Sequence, residues 1–291
     1  MKISLSMWSV HLYWFEGKWT ITDFIDFAGT TKAEGVELLS IFWQDQKKEL
    51  PLVEEALNRN QLTVSSYAAC NNFVTADPKT FKEQIKEVTD AIDMATHFGT
   101  NIVRVFAGDL PSDGSITYEK GIKFVLKGLS ECCKYAEEKG VYLCIENHGL
   151  FAGRSDQVID IINKIGSPML KSTFDTGNFL LVDQNPSEAL LELKEYIQHV
   201  HVKDFMHSEV RQDSNTYQAL SGKLFLGKIP GDGEVELATI IDGLIRNHYS
   251  GWFVVEFEGA EEPSEGSVLS MDYVHQLVSR ACSRKKTESD I

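Results

Sequence analysis

The chain has 291 residues, of which 43% are apolar and 24% are charged, so it is long enough for one large domain with a sizeable core. It has 28 basic and 43 acidic residues, and the resulting net charge of −15 argues against nucleic acid as a partner, because an acidic surface repels phosphate backbones. No segment has the length and apolar purity of a membrane span, and the amino-terminal residues lack the apolar core of a signal peptide.

Short apolar segments alternate with longer amphipathic ones along the chain. The short segments are rich in Val, Ile, Leu or aromatic residues and end near Gly, Asn or Asp, as buried strands do. Two of the longer segments are clear helices: residues 77–100, with Asp77 as cap and Pro78 at the first helical position, and residues 155–166, with Ser155 as cap. The predicted strands are residues 2–7, 35–39, 62–68, 101–108, 141–146, 170–175, 197–204 and 252–258.

Eight strands, each followed by a helical segment, favour a parallel sheet. In a chain of this length they predict a (β/α)8 TIM barrel. The alternative is an open doubly wound sheet, which usually has a Gly-rich turn after its first strand, and none is present here. We expect a single barrel domain over residues 1–282, an exposed tail over 283–291, and a long polar segment, 205–230, over the barrel mouth.

The five cysteines indicate a reducing compartment. Their number is odd and no two are spaced as Cys-x-x-Cys, which argues against a disulfide framework and against a structural zinc site. We expect reduced thiols in a cytoplasmic protein, with Cys144 packed in the core. The cysteines are Cys70, Cys132, Cys133, Cys144 and Cys282.

Four predicted strands carry a metal-type ligand near their carboxyl ends, although buried parallel strands should be apolar. In a barrel these ends meet at the face where active sites form, so three carboxylates and one imidazole would converge. A divalent metal removes their mutual repulsion, and an oxygen-rich set with one nitrogen suits Mn²⁺ or Mg²⁺ best, although Zn²⁺ or Co²⁺ could also occupy it. The four residues are Glu146, Asp175, His201 and Glu256.

Further polar residues are expected near the same face. His148 follows Glu146 by two positions, and its imidazole could move a proton or could orient a ligand. Lys203 shares one strand face with His201, where it could stabilise a developing oxyanion or pair with Asp204. Arg104 lies inside a strand and needs an anionic partner.

Three other features remain open at this point. Glu37 is the proposed partner of Arg104, in a pair that is structural. Asp232 is most simply a turn residue. An aromatic cluster after the first strand could stack on a sugar or another ring, pack against a second subunit, or belong to the core; its members are Trp8, His11, Tyr13, Trp14 and Phe15.

The order of motifs along the chain resembles the xylose isomerase-like barrel superfamily, the sugar phosphate isomerases/epimerases. The motifs are GVELL, VRVFAG, IENHG, FDTGNF, HVHVKDF, GDGEVEL and WFVVEFEG. The resemblance implies that Glu146, Asp175, His201 and Glu256 bind the metal. It also implies deprotonation of a carbon beside a sugar carbonyl, with stabilisation of the resulting enediolate and with Glu146 and Glu256 working on opposite faces of that carbon.

The strand-five motif departs from the epimerase pattern of Glu, Pro and Asn, because this chain has ENHG at 146–149. ENHG, with FAGRSDQV and DTGNFLLVDQNP after it, is similar to catalytic subunits of C-glycoside deglycosidases. That likeness implies a lyase that eliminates the aglycone from a 3-oxo-glucoside, with His148 as base and Lys203 as a further catalytic residue. It also implies a smaller second subunit; a homo-oligomer is the alternative.

Two alternatives remain, and a third reading, DNA repair, is not expected. A sugar or sugar-phosphate isomerase or epimerase would act on a ketose. A non-catalytic sugar-binding barrel would bind no metal. Endonuclease IV shares the fold but needs additional histidines, and this chain has Asn178 where that family has one.

Overall fold

The computed structural model of the protein describes residues 1–212 and 215–289, with side chains up to Lys285. Within these residues the strands are β1 (Lys2–Ser6), β2 (Gly35–Leu39), β3 (Thr63–Ala68), β4 (Ile102–Val105), β5 (Tyr142–Glu146), β6 (Leu170–Asp175), β7 (Ile197–Val202), β8 (Asp204–Ser208), β9 (Thr216–Gln218), β10 (Leu224–Lys228) and β11 (Trp252–Val255).

The described strands include eight that form one closed barrel, in the order β1–β2–β3–β4–β5–β6–β7–β11. Each pairs in parallel with its neighbours, and β1 pairs with both β2 and β11. This closure excludes the open doubly wound sheet. The predicted (β/α)8 barrel is confirmed, and all eight predicted strands coincide with barrel strands.

Helices surround the barrel and bury their apolar faces against it. The helix Pro78–His97 begins as predicted, because the Asp77 side chain accepts a hydrogen bond from the Thr80 amide and Pro78 is its first residue. Ser155, predicted as a cap, is instead the first residue of the helix Ser155–Ile165, and its hydroxyl donates to Glu192. The described helices are α1 (His11–Phe15), α2 (Ile21–Ala28), α3 (Gln46–Asn60), α4 (Pro78–His97), α5 (Tyr118–Lys139), α6 (Gly149–Ala152), α7 (Ser155–Ile165), α8 (Pro186–Leu193), α9 (Leu237–Arg246) and α10 (Pro263–Ser289).

The layer between helices and strands is tightly packed. Gly128 of α5 lies so close to Phe73 that an added Cβ would be 2.3 Å from the ring, so only glycine lets this helix approach. Cys144 is fully buried in the barrel, as expected, and all five cysteines are free thiols. Burial of this apolar layer supplies most of the folding free energy.

An antiparallel sheet of three strands, in the order β8–β10–β9, lies between β7 and α9. It packs on the carboxyl ends of the barrel strands. A Cβ on Gly227 of β10 would lie 1.9 Å from the carbonyl oxygen of Glu258, and one on Gly177 would lie 2.9 Å from the Phe205 ring. The predicted polar segment over the barrel mouth therefore contains a small sheet.

The segment predicted as an exposed tail, 283–291, begins inside α10, which continues to Ser289. Its last two residues lie outside the described part of the chain. Among the helices that the structure describes, none is both long and apolar enough to cross a membrane.

Candidate metal centre at the carboxyl end of the barrel

Four predicted ligand residues lie together inside the carboxyl end of the barrel. Glu146 and Asp175 are the last residues of β5 and β6, His201 lies in β7, and Glu256 follows β11 directly. All four are buried, and one ligand-type atom from each lies within 4.8 Å of the others. The residues therefore meet because each ends, or nearly ends, a strand of the same closed barrel.

Two atoms of this cluster are buried and have no hydrogen-bond partner in the described residues: Oδ2 of Asp175 and Nδ1 of His201. The His201 Nδ1 atom lies 3.8 Å from Oε2 of Glu146 and 3.7 Å from Oε2 of Glu256. Buried polar atoms are normally satisfied, so two open ones facing the same space indicate room for a ligand. Three carboxylates and an imidazole suit a divalent ion.

Glu37 of β2 fixes the orientation of His201. Its Oε2 atom accepts hydrogen bonds from Nε2 of His201 and Nε2 of His199, each at 3.1 Å. Its carboxylate also accepts bonds from the hydroxyls of Ser6, at 2.9 Å, and Ser66, at 2.8 Å. With Nε2 engaged, His201 presents Nδ1 to the cluster, as in the carboxylate–histidine pairs that orient metal ligands.

Arg104 and Asn178 hold Glu146. The Arg104 Nε atom lies 3.2 Å from Oε2 of Glu146, and Nδ2 of Asn178 donates to Oε1 at 3.0 Å. The expected pairing of Arg104 with Glu37 is therefore wrong. Strand β4, which carries Arg104, pairs directly with β5, so Glu146 is the nearer carboxylate.

The Asp175 carboxylate is held through its other oxygen. Oδ1 accepts hydrogen bonds from the amides of Gly177, at 2.9 Å, and Asn178, at 2.8 Å. The Asn147 side chain exchanges two hydrogen bonds with the Asp175 backbone, which ties the end of β5 to the end of β6. Burial raises the pKa of Asp175 to about 6, with Lys203 opposing this shift.

Lys203, just beyond β7, contacts three carboxylates. Its Nζ atom lies 2.7 Å from Glu256, 3.5 Å from Asp175 and 3.3 Å from Glu258. Burial alone would raise the pKa of Glu256, but Lys203 and His201 lower it to about 2. The alternative pairing of Lys203 with a neighbouring aspartate is not seen.

That neighbour, Asp204, accepts hydrogen bonds from the amides of Gly231, Gly233 and Val235. It therefore shapes the turn that carries Asp232. Asp232 is exposed, and its amide donates to the carbonyl of Ile229, as expected for a turn residue.

His148 lies at the mouth and is exposed. Its ring packs 4.8 Å from the Phe106 ring, and it has no hydrogen bond to any described residue. Partial burial lowers its pKa, and the nearby charges of Lys203 and Arg104 lower it further. A neutral imidazole that reaches solvent beside the cluster can accept a proton from a ligand bound there.

The aromatic cluster after β1 mostly packs on itself. Trp8 stacks on His11 with 4.3 Å between ring centres, and its Nε1 atom donates to Glu258. Tyr13 is buried, whereas Phe15 is 54% exposed. The structure thus places part of the cluster in the core and part at the rim.

Sequence reasoning did not place four residues at this site: Glu37 and Asn178, which it named in other roles, and Glu258 and Tyr217, which it did not name. Glu37 had a usable signal, since it is a charge inside a buried apolar strand. Asn178, Glu258 and Tyr217 had none, because their contacts depend on how separate loops meet above the barrel.

The family model that matches this chain is described as "Xylose isomerase-like TIM barrel" and covers residues 25–276. An inosose dehydratase of Clostridium botulinum (strain Alaska E43 / Type E3) is 24% identical over 248 residues, covering 80% of this chain and 82% of that protein.

Solved structures show the same fold. A D-tagatose 3-epimerase-like protein superposes with a TM-score of 0.77 at 19% identity, over 98% of this chain and 99% of the other. The IOLI protein with a bound zinc atom gives a TM-score of 0.75 at 17% identity, over 97% and 99% of the two chains. Because the family model spans most of the sequence, the chain belongs to the xylose isomerase-like TIM barrel family.

Proposed function

We propose that this protein is a divalent-metal-dependent carbohydrate enzyme, a lyase or an isomerase/epimerase, that removes a proton from the carbon next to a sugar carbonyl. The observation that carries this proposal is the pair of buried atoms without a hydrogen-bond partner, Asp175 Oδ2 and His201 Nδ1, beside the exposed imidazole of His148. The names of similar proteins, an inosose dehydratase and a D-tagatose 3-epimerase-like protein, support the carbohydrate class.

The metal would be held by Glu146, Asp175, His201 and Glu256. When bound, it would act as a Lewis acid that polarises the substrate carbonyl and balances the negative charge that develops there. Mn²⁺ is the ion we propose first, with Mg²⁺, Co²⁺ and Zn²⁺ as alternatives. A bound zinc in one structural relative supports a divalent ion of this class.

His148 is the base in this proposal. It is free of hydrogen bonds to the described residues and lies on the mouth side of Glu146, so its imidazole can take the proton from the carbon. Lys203 lies across the cluster, with its ammonium 2.7 Å from Glu256. From there its positive charge can stabilise the negative charge that develops on a substrate oxygen.

The environments of Glu146 and Glu256 favour elimination over epimerisation. Epimerisation needs a proton-transfer group on each face of the carbon, and these two carboxylates would supply it. Arg104 holds Glu146 and Lys203 holds Glu256, so both are committed to cations. His148 forms no hydrogen bond with the described residues, so a single base on one face of the carbon fits elimination better than a base on each face.

The leading specific reaction is therefore elimination from a neutral keto-sugar. A C–H bond beside the ketone breaks with its proton going to His148, a carbon–carbon double bond forms, and the group on the next carbon leaves and takes up a proton. With a 3-oxo-glucoside the leaving group is the aglycone, as in the C-glycoside deglycosidases that ENHG resembles. With an inosose it is water. Epimerisation or isomerisation of a ketose is the second candidate, since Glu146 and Glu256 both face the cluster.

Solvent exchange tests the proposal. The Mn²⁺-loaded protein is incubated in D2O with a 3-oxo-glucoside, an inosose and a panel of ketoses, then quenched, freed of metal and followed by proton NMR. We expect chelator-sensitive deuterium uptake or release of the leaving group from one of the first two. Exchange only in a ketose, with a new sugar appearing, would establish the second candidate.

Variants of two exposed histidines assign the base. His148→Ala should abolish exchange while Mn²⁺ stays bound. His207→Ala is the matched control, because His207 is exposed on β8 and its ion-pair contact is Glu209. Full exchange in His148→Ala would overturn the role of His148, and chelator-resistant exchange would overturn the metal.

Association with a second subunit or a second copy is also proposed, on the sequence resemblance. Leu12, Phe15 and Ile41 are apolar and exposed after β1 and β2. Light scattering of the purified chain, with a monomeric mass as the opposing result, tests self-association. The cytoplasmic location remains a prediction, consistent with five free thiols.

A further inference from the structure

Glu258 lies two residues beyond Glu256, at the mouth, and is held by three different segments. Its Oε2 atom is 3.3 Å from Nζ of Lys203, its Oε1 atom accepts a bond from the Trp8 indole, and its carboxylate lies near the Tyr217 hydroxyl. Trp8 follows β1, Lys203 follows β7, and Tyr217 lies in β9. The side chain is therefore fixed, although it belongs to no strand.

The backbone at Glu258 is fixed as well. Gly227 of β10 packs on its carbonyl so closely that any side chain at 227 would collide with it. The small antiparallel sheet thus sets the position from which the Glu258 carboxylate meets Lys203.

Both cationic side chains that pair with the cluster are already neutralised. Among the described residues, Arg104 and Lys203 are the Lys or Arg side chains that form ion pairs with its carboxylates, and both are almost fully buried. Arg104 is paired with Glu146. Lys203 is paired with Asp175 and Glu256 from within the barrel and with Glu258 from the mouth.

The charges in and around the cluster leave no excess for an anion. Two cationic side chains and one divalent ion supply four positive charges. They face five carboxylates: Glu37, Glu146, Asp175, Glu256 and Glu258. A phosphate or carboxylate group on a substrate would meet a site without spare positive charge, and like-charge juxtaposition is costly in such a site.

We propose that Glu258 is a specificity-determining residue that restricts the site to uncharged polyhydroxy ketones, by occupying the mouth-facing side of the Lys203 ammonium. This inference rests on the proposed function in taking sugar ketones as ligands. It predicts that the site accepts neutral sugar ketones and excludes sugar phosphates and sugar acids. The proposed function does not make this distinction. Glu258 touches Lys203 and not the reacting carbon, so it acts through the charge that it cancels.

Calorimetric titration with inorganic phosphate tests this proposal on the full chain, both metal-free and loaded with Mn²⁺. Glu258→Gln keeps the shape of the side chain and an acceptor for Trp8, but removes the negative charge on the mouth side of Lys203, one of the three carboxylates that pair with it. We expect it to bind phosphate about tenfold more tightly than the wild type, or better. Glu258→Asp keeps the charge and should bind phosphate as weakly as the wild type.

Asp109→Asn is the matched control. Asp109 is exposed beside Gly149 at the same mouth, so the substitution removes the same charge without touching Lys203. Its phosphate affinity should stay within about twofold of the wild type, because exposed charges are screened. Equal phosphate affinity of Glu258→Gln and the wild type, or an equal gain in Asp109→Asn, would overturn the proposal.

Phosphate binding does not depend on turnover, so the two proposals fail separately. A protein that exchanges no sugar proton but shows the Glu258→Gln gain would lose the proposed function and keep the charge assignment. A protein that exchanges sugar protons without that gain would keep the function and lose the role of Glu258.

Discussion

Two polar clusters lie next to each other inside the barrel and differ in how completely their atoms are paired. The upper cluster comprises Glu146, Asp175, His201 and Glu256. The lower cluster comprises Glu37, His199, Ser6 and Ser66. Both contain metal-type ligands, since Glu37, His199 and His201 also lie close enough to hold an ion.

The two clusters differ in how many of their polar atoms are hydrogen-bonded. Both oxygens of Glu37 accept hydrogen bonds, from four donors in all. In the upper cluster Asp175 Oδ2 and His201 Nδ1 accept or donate no hydrogen bond among the described residues, and Oδ2 has only a 3.5 Å ion-pair contact with Nζ of Lys203. A buried group that is fully hydrogen-bonded has no need of an ion, whereas open buried atoms are costly until a ligand fills them. This difference supports the upper cluster as the proposed metal site and the lower one as its support.

Removing an open ligand atom should have the largest effect. Asp175→Asn keeps an oxygen for the amides of Gly177 and Asn178 but replaces the carboxylate by a poorer ligand. We expect Mn²⁺ affinity to fall by more than about 100-fold, because changes in supporting residues alone cost up to that much. A Mn²⁺ titration followed by electron paramagnetic resonance measures it.

Asp232→Asn is the control for that experiment, because Asp232 is an exposed turn residue. It should bind Mn²⁺ like the wild type. Unchanged affinity in Asp175→Asn would show that the upper cluster is not the metal site.

Weakening the support should have a smaller effect on the same titration. Glu37→Gln removes the charge that receives the Nε2 proton of His201, so we expect Mn²⁺ affinity to fall by about 10- to 100-fold. Glu34→Gln, an exposed position near the start of β2, should leave affinity unchanged. Equal Mn²⁺ affinities for Glu37→Gln and the wild type would show that the lower cluster does not support metal binding by the upper one.

The pH should change metal affinity in one direction. Burial alone would lower the pKa of His201, but the charges of Glu37, Glu256 and Glu146 outweigh burial and raise it to about 10. The metal-free protein therefore holds a proton on His201 at neutral pH, and an ion must displace it. Affinity should rise with pH, by up to about tenfold per unit between roughly pH 6 and 8. A flat or falling profile would contradict this proton displacement.

The smallest effect should come from one hydroxyl of the lower cluster. Ser66→Ala removes a donor to Glu37, and we expect the free energy of unfolding of the metal-free protein to fall by about 1 kcal/mol. Ser172→Ala is a matched control, because its buried hydroxyl has no hydrogen-bond partner in the described residues. Urea denaturation compares the two, and a greater loss in Ser172→Ala would contradict the assignment.

The sequence predicts the barrel and the convergence of the four candidate ligands at its strand ends, because both depend on local patterns. Apolar runs predict strands, and in a closed parallel barrel every carboxyl end lies at one face, so Glu146 and Asp175 needed no knowledge of distant contacts. Predicting the partner of Arg104 did require knowledge of distant contacts. Which carboxylate it meets depends on strand neighbours, and β4 lies beside β5.

Loop contacts were beyond prediction for a related reason. Glu258 lies near Lys203, Trp8 and Tyr217 only because segments that are far apart in the sequence pack together above the barrel. Ser155 shows a local limit: its hydroxyl found a tertiary acceptor, Glu192, instead of capping its own helix.

Anomalous diffraction from crystals soaked in Mn²⁺ would test directly which cluster holds the ion. The expected result is one strong peak, roughly 2.0–2.4 Å from Asp175 Oδ2, His201 Nδ1 and carboxylate oxygens of Glu146 and Glu256. A peak between Glu37 and His199, or no peak in either cluster, would contradict the assignment of the upper cluster as the metal centre.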